Sequence, residues 1–496
     1  MKISVIDLGF NSAKLVNYTV NAKDNSFLAY EQQSAMVRLG QDFSGALAYE
    51  PIQRTIRALQ LFRDIIHFQH VQHVISIATS AVREANNNKD FLQEVFKKTG
   101  FKFTVLTGEE EALYSYLGAL QSTCIPTALF FDLGGGSLEL VYSENYKIKK
   151  VISLPLGTLR LSQAYCDDEG RLSKKNYLKL EEHIIRELPD RKELDISLDT
   201  ILTGVGGTLR AVSRYNQETT RYPLEKIHNY RIDFADIRRI TNTFRKMSPH
   251  EISEIGTVGS NRAATITVGS CIMKTLMQKL EFENMLVSAH GLREGVLSAF
   301  LCSAKSHNLH NFNLIQIQKL AKYSCKQEKI PRYARNIISL FYNLGLLKER
   351  EYEILAHAIK IIADLPVVTN LHNVFYIIID EDIRHLSHRE QLILALSIVR
   401  TRKAKTASAL FTKFNSILQP QNKKSIEKIS ACLSISLILE RCKTKVRFNK
   451  YNRKEIVMTF TTENNNSLPL TLLDEVVNNL QKAFDISIIY FKSSKP

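Results

Sequence analysis

The sequence of 496 residues lacks the features of a secreted or membrane-spanning protein. Its 7 cysteines form no CxxC pair, and an odd number fits no closed set of disulfides, so free thiols in a reducing compartment are expected. No apolar run approaches the roughly 20 residues that cross a bilayer. The N-terminus, MKISVIDLGF, lacks the apolar core of a signal peptide. These absences predict a cytoplasmic protein that does not enter the membrane.

Three common catalytic motifs are absent as well. The sequence has no GxxxxGK(S/T) phosphate loop, no HExxH zinc motif and no GxSxG nucleophile elbow. Its 13 histidines include no adjacent His-Asp pair. Candidate functional residues must therefore lie in other motifs, and the glycine turns that follow apolar strands are the strongest candidates.

Positive charge is concentrated in the last part of the chain. Residues 1–300 carry 36 Lys and Arg against 34 Asp and Glu, whereas residues 301–496 carry 30 against 16. A basic region beside a neutral body predicts a surface that attracts a polyanion. The candidates are nucleic acid, a membrane face and inorganic polyphosphate; the alternative is a solvated basic face that serves solubility.

The first 300 residues alternate between strand-like and helix-like segments, which is typical of the α/β class with mixed sheets. Apolar strands that end in Asp-x-Gly occur twice, at 6–9 and at 131–134, and each continues into a second strand. This weak internal repeat predicts two similar lobes that face one cleft. After about residue 300 the glycine motifs stop and a helical pattern begins.

The segment DLGGGS at residues 132–137 follows a buried strand and predicts a phosphate-binding loop. Its three glycines free the backbone to approach a ligand and to present N–H groups to an anion, and Ser137 adds a hydroxyl donor. Asp132 and Glu139 would repel phosphate unless a cation lies between them. Because hard cations bind carboxylate and phosphate oxygens, we expect Mg²⁺ here. The alternative is a tight hairpin turn.

Two further turns resemble this loop. DLGFNSAK at residues 7–14 has less glycine but offers side-chain donors, and Asp7 could hold a cation. TGVGGTLR at residues 203–210 opens a helix, so that the amides of residues 206–208 would point at an anion from a helix N-terminus. The alternative for the last turn is close packing at a strand-to-helix corner.

Acidic and basic side chains next to these turns are candidates for catalysis. Residues 109–111 are three glutamates at the start of a helix, where acidic groups also favour the helix dipole. Hydrolysis needs a base, and a carboxylate surrounded by phosphate charge has a raised pKa, so one of the three is a candidate. Arg83 could stabilise a phosphoryl transition state or pair with Glu84 or another acid, and Arg293 has the same ambiguity.

Seven ordered blocks lie within residues 1–300, namely DLGxNS, ATSAVREA, TGEEEA, DLGGGS-x-E, LPLG, TGVGGT and GLREG. Together they resemble the exopolyphosphatase and guanosine pentaphosphate phosphatase family. The resemblance implies the two-lobed actin-like fold shared with sugar kinases, with lobes at residues 1–120 and 121–300. It also implies a mainly helical region like a degenerate HD domain at 313–440, a small α/β segment at 441–496, and a homodimer.

The resemblance also implies a role for each matching residue. Glu111 becomes the general base, with Arg83 and Glu139 as further catalytic residues. Mg²⁺ is associated with Asp7, Asp132 and Glu139. The implied phosphate contacts are Asp7, Asn11, Ser12, Arg83, Gly134, Gly135, Gly136, Ser137, Gly206, Gly207 and Thr208. The implied reaction is direct attack of water on a terminal phosphorus, without a covalent intermediate.

Two departures from the family pattern qualify these expectations. Phe10 replaces the serine of DLGSNS, which removes a hydroxyl donor and narrows the first loop. The stretch ILAHAIKIIADLPVV lacks the His-Asp pair of the HD phosphohydrolases, so we expect no metal site there. The basic helices around it are expected to guide a polyanion, through residues 400–405 and 423–428.

The predicted function is therefore that of a Mg²⁺-dependent exopolyphosphatase. The basic C-terminal region favours a long polymer, which gains from many weak phosphate contacts. The alternatives are conversion of guanosine pentaphosphate to the tetraphosphate and, because of Phe10, a weakly active sensor of polyphosphate or nucleotide. No membrane partner and no specific nucleic-acid partner are expected.

Overall fold

The structure is a computed structural model. It describes residues 1–302 except 22 and 24, and residues 330–364, 370–384, 386–462 and 469–493. The chain divides into two compact units, Met1–Cys325 and Lys326–Pro496. The predicted boundary between residues 300 and 313 falls largely outside the described residues and stays a prediction.

The first unit contains a five-stranded sheet in the order β3-β2-β1-β4-β5. Strands β1, β2 and β3 form antiparallel pairs, and β4 and β5 extend the sheet in parallel from β1. The strands are β1 Lys2–Leu8, β2 Ala13–Val20, β3 Phe27–Ala35, β4 His73–Ala78 and β5 Thr104–Val105.

A six-stranded sheet in the order β10-β11-β9-β6-β7-β8 forms the second half of this unit. It repeats the arrangement of the first, because β6, β7 and β8 are antiparallel neighbours and β9 and β11 extend the sheet in parallel from β6. The strands are β6 Ala128–Leu133, β7 Leu138–Glu144, β8 Lys147–Leu154, β9 Ile201–Val205, β10 Tyr230–Asp233 and β11 Asn284–Val287. The predicted α/β class and the predicted pair of similar lobes are confirmed.

Helices cover both sheets, and one 3₁₀ turn lies at Ser260–Arg262. The helices are α1 Tyr49–Phe68, α2 Ser80–Glu84, α3 Asn88–Thr99, α4 Gly108–Thr123, α5 Thr158–Tyr165, α6 Lys174–Glu187, α7 Gly207–Thr219, α8 Phe234–Phe244, α9 Pro249–Ser253, α10 Ile266–Lys279 and α11 Leu292–Cys302.

Helix α4 lies between the two sheets and therefore sets the position of the cleft. Its Tyr114 packs with Ile3 and Val5 of the first sheet, whereas Tyr116 packs with Phe130 of the second. Because both flanks are covered by sheets, α4 is buried around most of its circumference instead of along a single stripe. Its N-terminal end is thus held between the two lobes.

The second unit is mainly helical and ends in a small mixed sheet in the order β12-β13-β14. No helix in the described ranges is long and apolar enough to cross a membrane. The helices are α12 Arg332–Asn343, α13 Glu349–Asp364, α14 Leu371–Asp380, α15 His388–Arg400, α16 Ala404–Lys413, α17 Asn422–Arg441 and α18 Leu470–Phe484. The strands are β12 Thr444–Tyr451, β13 Glu455–Thr462 and β14 Ser487–Ser493.

Candidate active site

The hairpin turns of the two sheets open on one cavity of about 120 Å³. The first turn joins β1 to β2 and the second joins β6 to β7, so the cavity lies where the two lobes meet. The third glycine turn, before α7, and the start of α11 complete its walls. Its polar lining consists of Asp7, Asn11, Ser12, Lys14, Thr79, Ser80, Glu111, Asp132, Ser137, Arg210, Arg293 and Glu294.

The two hairpins place charged residues at equivalent positions. In the first, Asp7 on β1 is paired in register with Lys14 on β2. In the second, Asp132 on β6 is paired in register with Glu139 on β7. Residues directly opposite each other on antiparallel strands lie within reach of one another. The first hairpin therefore carries one acidic and one basic side chain, whereas the second carries two acidic side chains.

The structure distinguishes the three glutamates at the start of α4. Glu110 forms a capping box, in which its carboxylate accepts from the Thr107 amide at 2.8 Å and its own amide donates to the Thr107 hydroxyl at 3.1 Å. Glu109 is exposed. Glu111 is 8% exposed and lines the cavity. Of the three, Glu111 alone is placed to act on a ligand there.

Arg83 binds the carboxylate of Glu111. Its Nη1 donates to Oε2 of Glu111 at 2.9 Å and to the carbonyl of Leu106 at 2.9 Å. Burial raises the pKa of Glu111 to about 7, although the charge of Arg83 and its hydrogen bond oppose this rise. A carboxyl group with a pKa near neutrality is suited to general base catalysis. Arg83 thus fixes the orientation of Glu111.

In the acid pair of the second hairpin, Glu139 is buried and Asp132 is half-buried, and neither forms an ion pair within the described part of the chain. Asp132 accepts from the Ser115 hydroxyl at 2.6 Å, and Glu139 accepts from the Ser153 hydroxyl at 3.0 Å. Burial raises the pKa of Asp132, and burial together with the charge of Glu111 raises that of Glu139 well above its usual range. Buried carboxylates of this kind are neutralised by protons or by a cation. Their oxygens fit Mg²⁺.

The third turn depends on a backbone that only glycine adopts easily. Gly206 has φ of 123°, and a Cβ there would lie 2.6 Å from the carbonyl oxygen of Leu133. The chain passes directly from this turn into α7, and Gly206 and Gly207 both line the cavity. The N-terminal end of α7, whose first amides have no partner within the helix, therefore lies at the cavity. Thr208 is buried, and its methyl group packs against Gly269 of α10.

Three cations line the cavity wall, namely Arg293, which was a candidate from the sequence, together with Lys14 and Arg210. Lys14 lies opposite Asp7, and burial, followed by the charge of Arg293, lowers its pKa to about 8. Arg210, in the first turn of α7, donates to the Ala289 carbonyl at 3.2 Å. Arg293 is 9% exposed, and its Nη1 has no hydrogen-bond partner among the described residues. Unsatisfied buried donors of this kind suit an anion.

Most predicted phosphate contacts line the cavity, and the two exceptions are Arg83 and Thr208. Glu139, which was predicted as a metal ligand and catalytic residue, does not line it either. The predicted contacts that line it are Asp7, Asn11, Ser12, Gly134, Gly135, Gly136, Ser137, Gly206 and Gly207.

Phe10 lines the cavity with part of its ring but belongs to the core of the first lobe. It is 3% exposed, and its ring packs edge-on against Phe43 at a centroid distance of 6.0 Å. A Cβ on Gly40 would lie 1.9 Å from the ring, and one on Gly136 would lie 2.5 Å from it. The ring therefore fills the space between the two lobes.

Comparison with known proteins assigns residues 19–304 to the sequence pattern of the Ppx/GppA phosphatase family. Exopolyphosphatase 2 of Mycobacterium tuberculosis is 27% identical over 60% of this chain and 97% of its own length. A guanosine-5'-triphosphate,3'-diphosphate pyrophosphatase of Pseudoalteromonas translucida is 25% identical over 74% of this chain and 70% of its own. A bifunctional 3-dehydroquinate synthase/phosphatase of Fusobacterium nucleatum is 29% identical over 57% of this chain, which spans only 44% of that protein.

A solved structure supports the same assignment. The Aquifex aeolicus member of that family is 27% identical and superposes with a TM-score of 0.53. The match covers 62% of this chain and 99% of the other. The shared part therefore corresponds in extent to the two lobes that form the cavity.

Proposed function

Because the chain belongs to the Ppx/GppA phosphatase family, we propose that it removes terminal phosphate groups from inorganic polyphosphate by hydrolysis. The observation that carries this proposal is the position of Glu111. This buried carboxyl group lines a cavity surrounded by glycine turns and cations, and its pKa is raised to about 7. A base poised near neutrality beside an anion site is what hydrolysis of a phosphoanhydride requires.

The attacking nucleophile is water, and Glu111 accepts its proton. Arg83 occupies Oε2 of Glu111, which leaves Oε1 to receive the proton as the water oxygen approaches phosphorus. The products are inorganic phosphate and a polyphosphate chain shortened by one unit. This scheme needs no covalent intermediate. In it, Arg83 binds the carboxylate of Glu111 and does not bind the substrate.

Phosphate oxygens are held by backbone amides and by the three cations. The amides of residues 135–137 and of the turn at 206–207 provide hydrogen bonds on the two walls of the second lobe. Lys14, Arg210 and Arg293 neutralise the charge of the terminal phosphate and of its neighbours. Arg293 contributes a buried N–H that has no other acceptor in the described ranges.

Mg²⁺ completes the proposed site. Asp132 and Glu139 would hold it, with Asp7 of the opposite hairpin as a third carboxylate. Asp7 and Asp132 line the cavity, and Glu139 is paired in register with Asp132. The ion would screen the charge of the phosphate oxygens and polarise the bond that breaks. Binding a cation also offsets the cost of burying two carboxylates on one hairpin.

Hydrolysis of guanosine pentaphosphate to the tetraphosphate is a second candidate reaction. It is favoured by the similarity to the Pseudoalteromonas translucida protein, whose name gives that substrate type and whose match extends over 74% of this chain. The same base and phosphate contacts would serve both reactions, since each removes a terminal phosphate from a phosphoanhydride.

The second unit is proposed to bind the distal part of a long polymer. Arg402, Lys403 and Lys405 are exposed around the start of α16. Arg400, Arg402 and Lys482 border a polar cavity of about 420 Å³ inside this unit. Part of the predicted basic surface is already neutralised, because Arg400 lies 3.3 Å from the carboxylate of Glu427.

The decisive assay measures phosphate release from long polyphosphate and from guanosine pentaphosphate side by side, with and without Mg²⁺. We expect faster release from polyphosphate and loss of activity after chelation. Preference for the nucleotide would select the second candidate. Release from neither substrate would refute the proposal.

The polymer-binding role has its own test. Changing Lys403 and Lys405 to Gln should raise KM for long chains more than for tripolyphosphate. The matched control changes the exposed Lys174 and Lys175 of α6, which removes the same charge elsewhere. Equal effects of the two double variants would contradict the role.

A further inference from the structure

The carbonyl groups of the second-lobe loop are all bound from one side. In the first turn of α5, the amide of Thr158 donates to the carbonyl of Gly134 at 3.0 Å. The amides of Leu159 and Arg160 both donate to the carbonyl of Gly135, at 2.9 and 3.1 Å. The carbonyl of Gly136 is bound by a side chain instead, since Nε of Arg160 donates to it at 2.7 Å.

This arrangement decides where the loop amides point. In a trans peptide the C=O and the following N–H point in opposite directions. With the carbonyls of residues 134–136 directed at α5, the amides of Gly135, Gly136 and Ser137 are directed away from it, into the cavity that these residues line. None of the three amides donates to an acceptor in the described part of the chain. They are thus free to bind an anion.

The guanidinium of Arg160 also joins the two lobes. Its Nη2 lies 2.5 Å from the carboxylate of Glu84, at the end of α2 in the first lobe. Its central carbon lies 5.5 Å from the ring centroid of Phe10. Residue 83, which precedes Glu84 on α2, is the arginine that binds the base Glu111. One short helix is therefore connected both to the base and, through Arg160, to the phosphate loop.

We propose that Arg160 is a positioning residue, which aims the loop amides at the substrate and fixes the loop relative to the base through Glu84. This inference rests on the proposed function, because it assigns the loop to phosphate. Arg160 does not line the cavity and acts through Gly136 and Glu84. No sequence motif indicates the role, since it depends on contacts between segments 76 residues apart.

The test uses three single variants of the full chain. Arg160→Gln removes the guanidinium, and Glu84→Gln removes its ionic partner. The matched control is Arg191→Gln, because Arg191 also bonds to backbone carbonyls, those of Leu280 and Ser197, and lies 5.2 Å from a phenylalanine ring centroid. Arg191 does not line the cavity.

Two readouts separate positioning from general stability. Amide hydrogen exchange at Gly134 and at residues 158–160, whose amides are hydrogen-bonded within the loop and to it, should become faster in Arg160→Gln and Glu84→Gln, while peptides remote from the loop exchange as in the wild type. The kcat for polyphosphate should fall at least about tenfold in Arg160→Gln, as expected when a reacting group is misplaced by about an ångström. Arg191→Gln should change neither readout.

Each outcome decides the matter. Wild-type exchange of the loop in Arg160→Gln overturns the proposal, whatever happens to kcat. Faster loop exchange with unchanged kcat also overturns it, because the loop would then move without consequence. Faster exchange throughout the molecule would overturn it as well, because Arg160 would then stabilise the whole fold and not the loop in particular. If the wild type hydrolyses neither substrate, the proposed function fails, and the exchange data still decide whether Arg160 orders the loop.

Discussion

The two hairpin loops of the cleft occupy equivalent places in their sheets but carry different charges. The Asp7–Lys14 pair of the first loop balances its own charge, whereas the Asp132–Glu139 pair of the second concentrates two carboxylates. Burial lowers the pKa of Lys14 and raises those of Asp132 and Glu139. Each shift reflects the cost of holding charge out of water. The charged pair of the first loop is therefore close to neutral, whereas the pair of the second needs protons or a cation to offset its charge.

The loops also differ in their glycines: Gly9 corresponds to Gly134, where an added Cβ would likewise meet only a carbonyl oxygen of its own turn, whereas Gly136 has no glycine counterpart in the first loop. At Gly9 of the first loop, an added Cβ would meet only the Ser12 carbonyl oxygen, at an ordinary 3.4 Å. At Gly136 of the second, it would lie 2.4 Å from the Ser80 hydroxyl and 2.5 Å from the Phe10 ring. The second loop is therefore packed against the first lobe, and its geometry depends on that contact.

The largest expected effect concerns the base, which lies next to the acid pair of the second loop. Glu111→Gln should lower kcat by about 10³-fold, within the range that general base catalysis contributes. The control is Glu109→Gln, which changes an exposed carboxylate in the same helical turn and should have little effect. Steady-state phosphate release measures both. A near wild-type kcat in Glu111→Gln would show that Glu111, beside the second loop, is not the general base.

The next effect compares the glycines of the two loops directly. Gly136→Ala forces the Ser80 and Phe10 side chains or the loop itself to move, and we expect kcat/KM to fall about 100-fold. Gly9→Ala adds a methyl group at van der Waals distance and should change kcat/KM far less. Equal losses in the two variants would show that the loops are not packed as differently as the structure indicates.

Much of this comparison could be predicted from the sequence. The family expected from seven ordered blocks is confirmed, together with its enzyme class, a phosphatase, and the repeated Asp-x-Gly strands do mark two similar lobes. These features are local, since each block forms one turn at the end of one strand. The capping role of Glu110 is equally local, because the spacing Thr107-x-x-Glu110 is that of a capping box.

The remaining features depend on contacts between distant segments. Arg210 and Arg293 reach the cavity only because α7 and α11 begin beside the same turn, and no periodicity indicates this. The sequence offered Arg83 either as a phosphate contact or as the partner of an acid, and only the fold shows that this acid is Glu111. The phosphate, metal and catalytic roles of individual residues remain predictions.

Phe10 is expected to contribute to stability more than to turnover. Phe10→Ser empties a buried site, and replacing a core phenylalanine with a small residue costs about 3–5 kcal/mol of unfolding free energy. Phe10→Leu retains most of the volume and should cost less. Chemical denaturation followed by activity assays measures both quantities. A rise in turnover of about tenfold in Phe10→Ser, with stability unchanged, would support the weakly active sensor suggested by the sequence.

The smallest effect is the pH dependence of kcat/KM. A residue on one side of the cleft should cause the fall at low pH, and a residue on the other side should cause the fall at high pH. The kcat/KM should rise as pH passes about 7, because Glu111 must lose its proton to act as a base. It should fall above about 8, because Lys14 then loses the charge that binds phosphate. One pH unit above that value, the loss should be about tenfold. Lys14→Arg keeps its charge at high pH, so it should abolish the alkaline limb and leave the acid limb in place. Lys174→Arg, on α6, is the control and should leave both limbs unchanged. If the alkaline limb persists in Lys14→Arg, the group that titrates there is not Lys14 of the first loop.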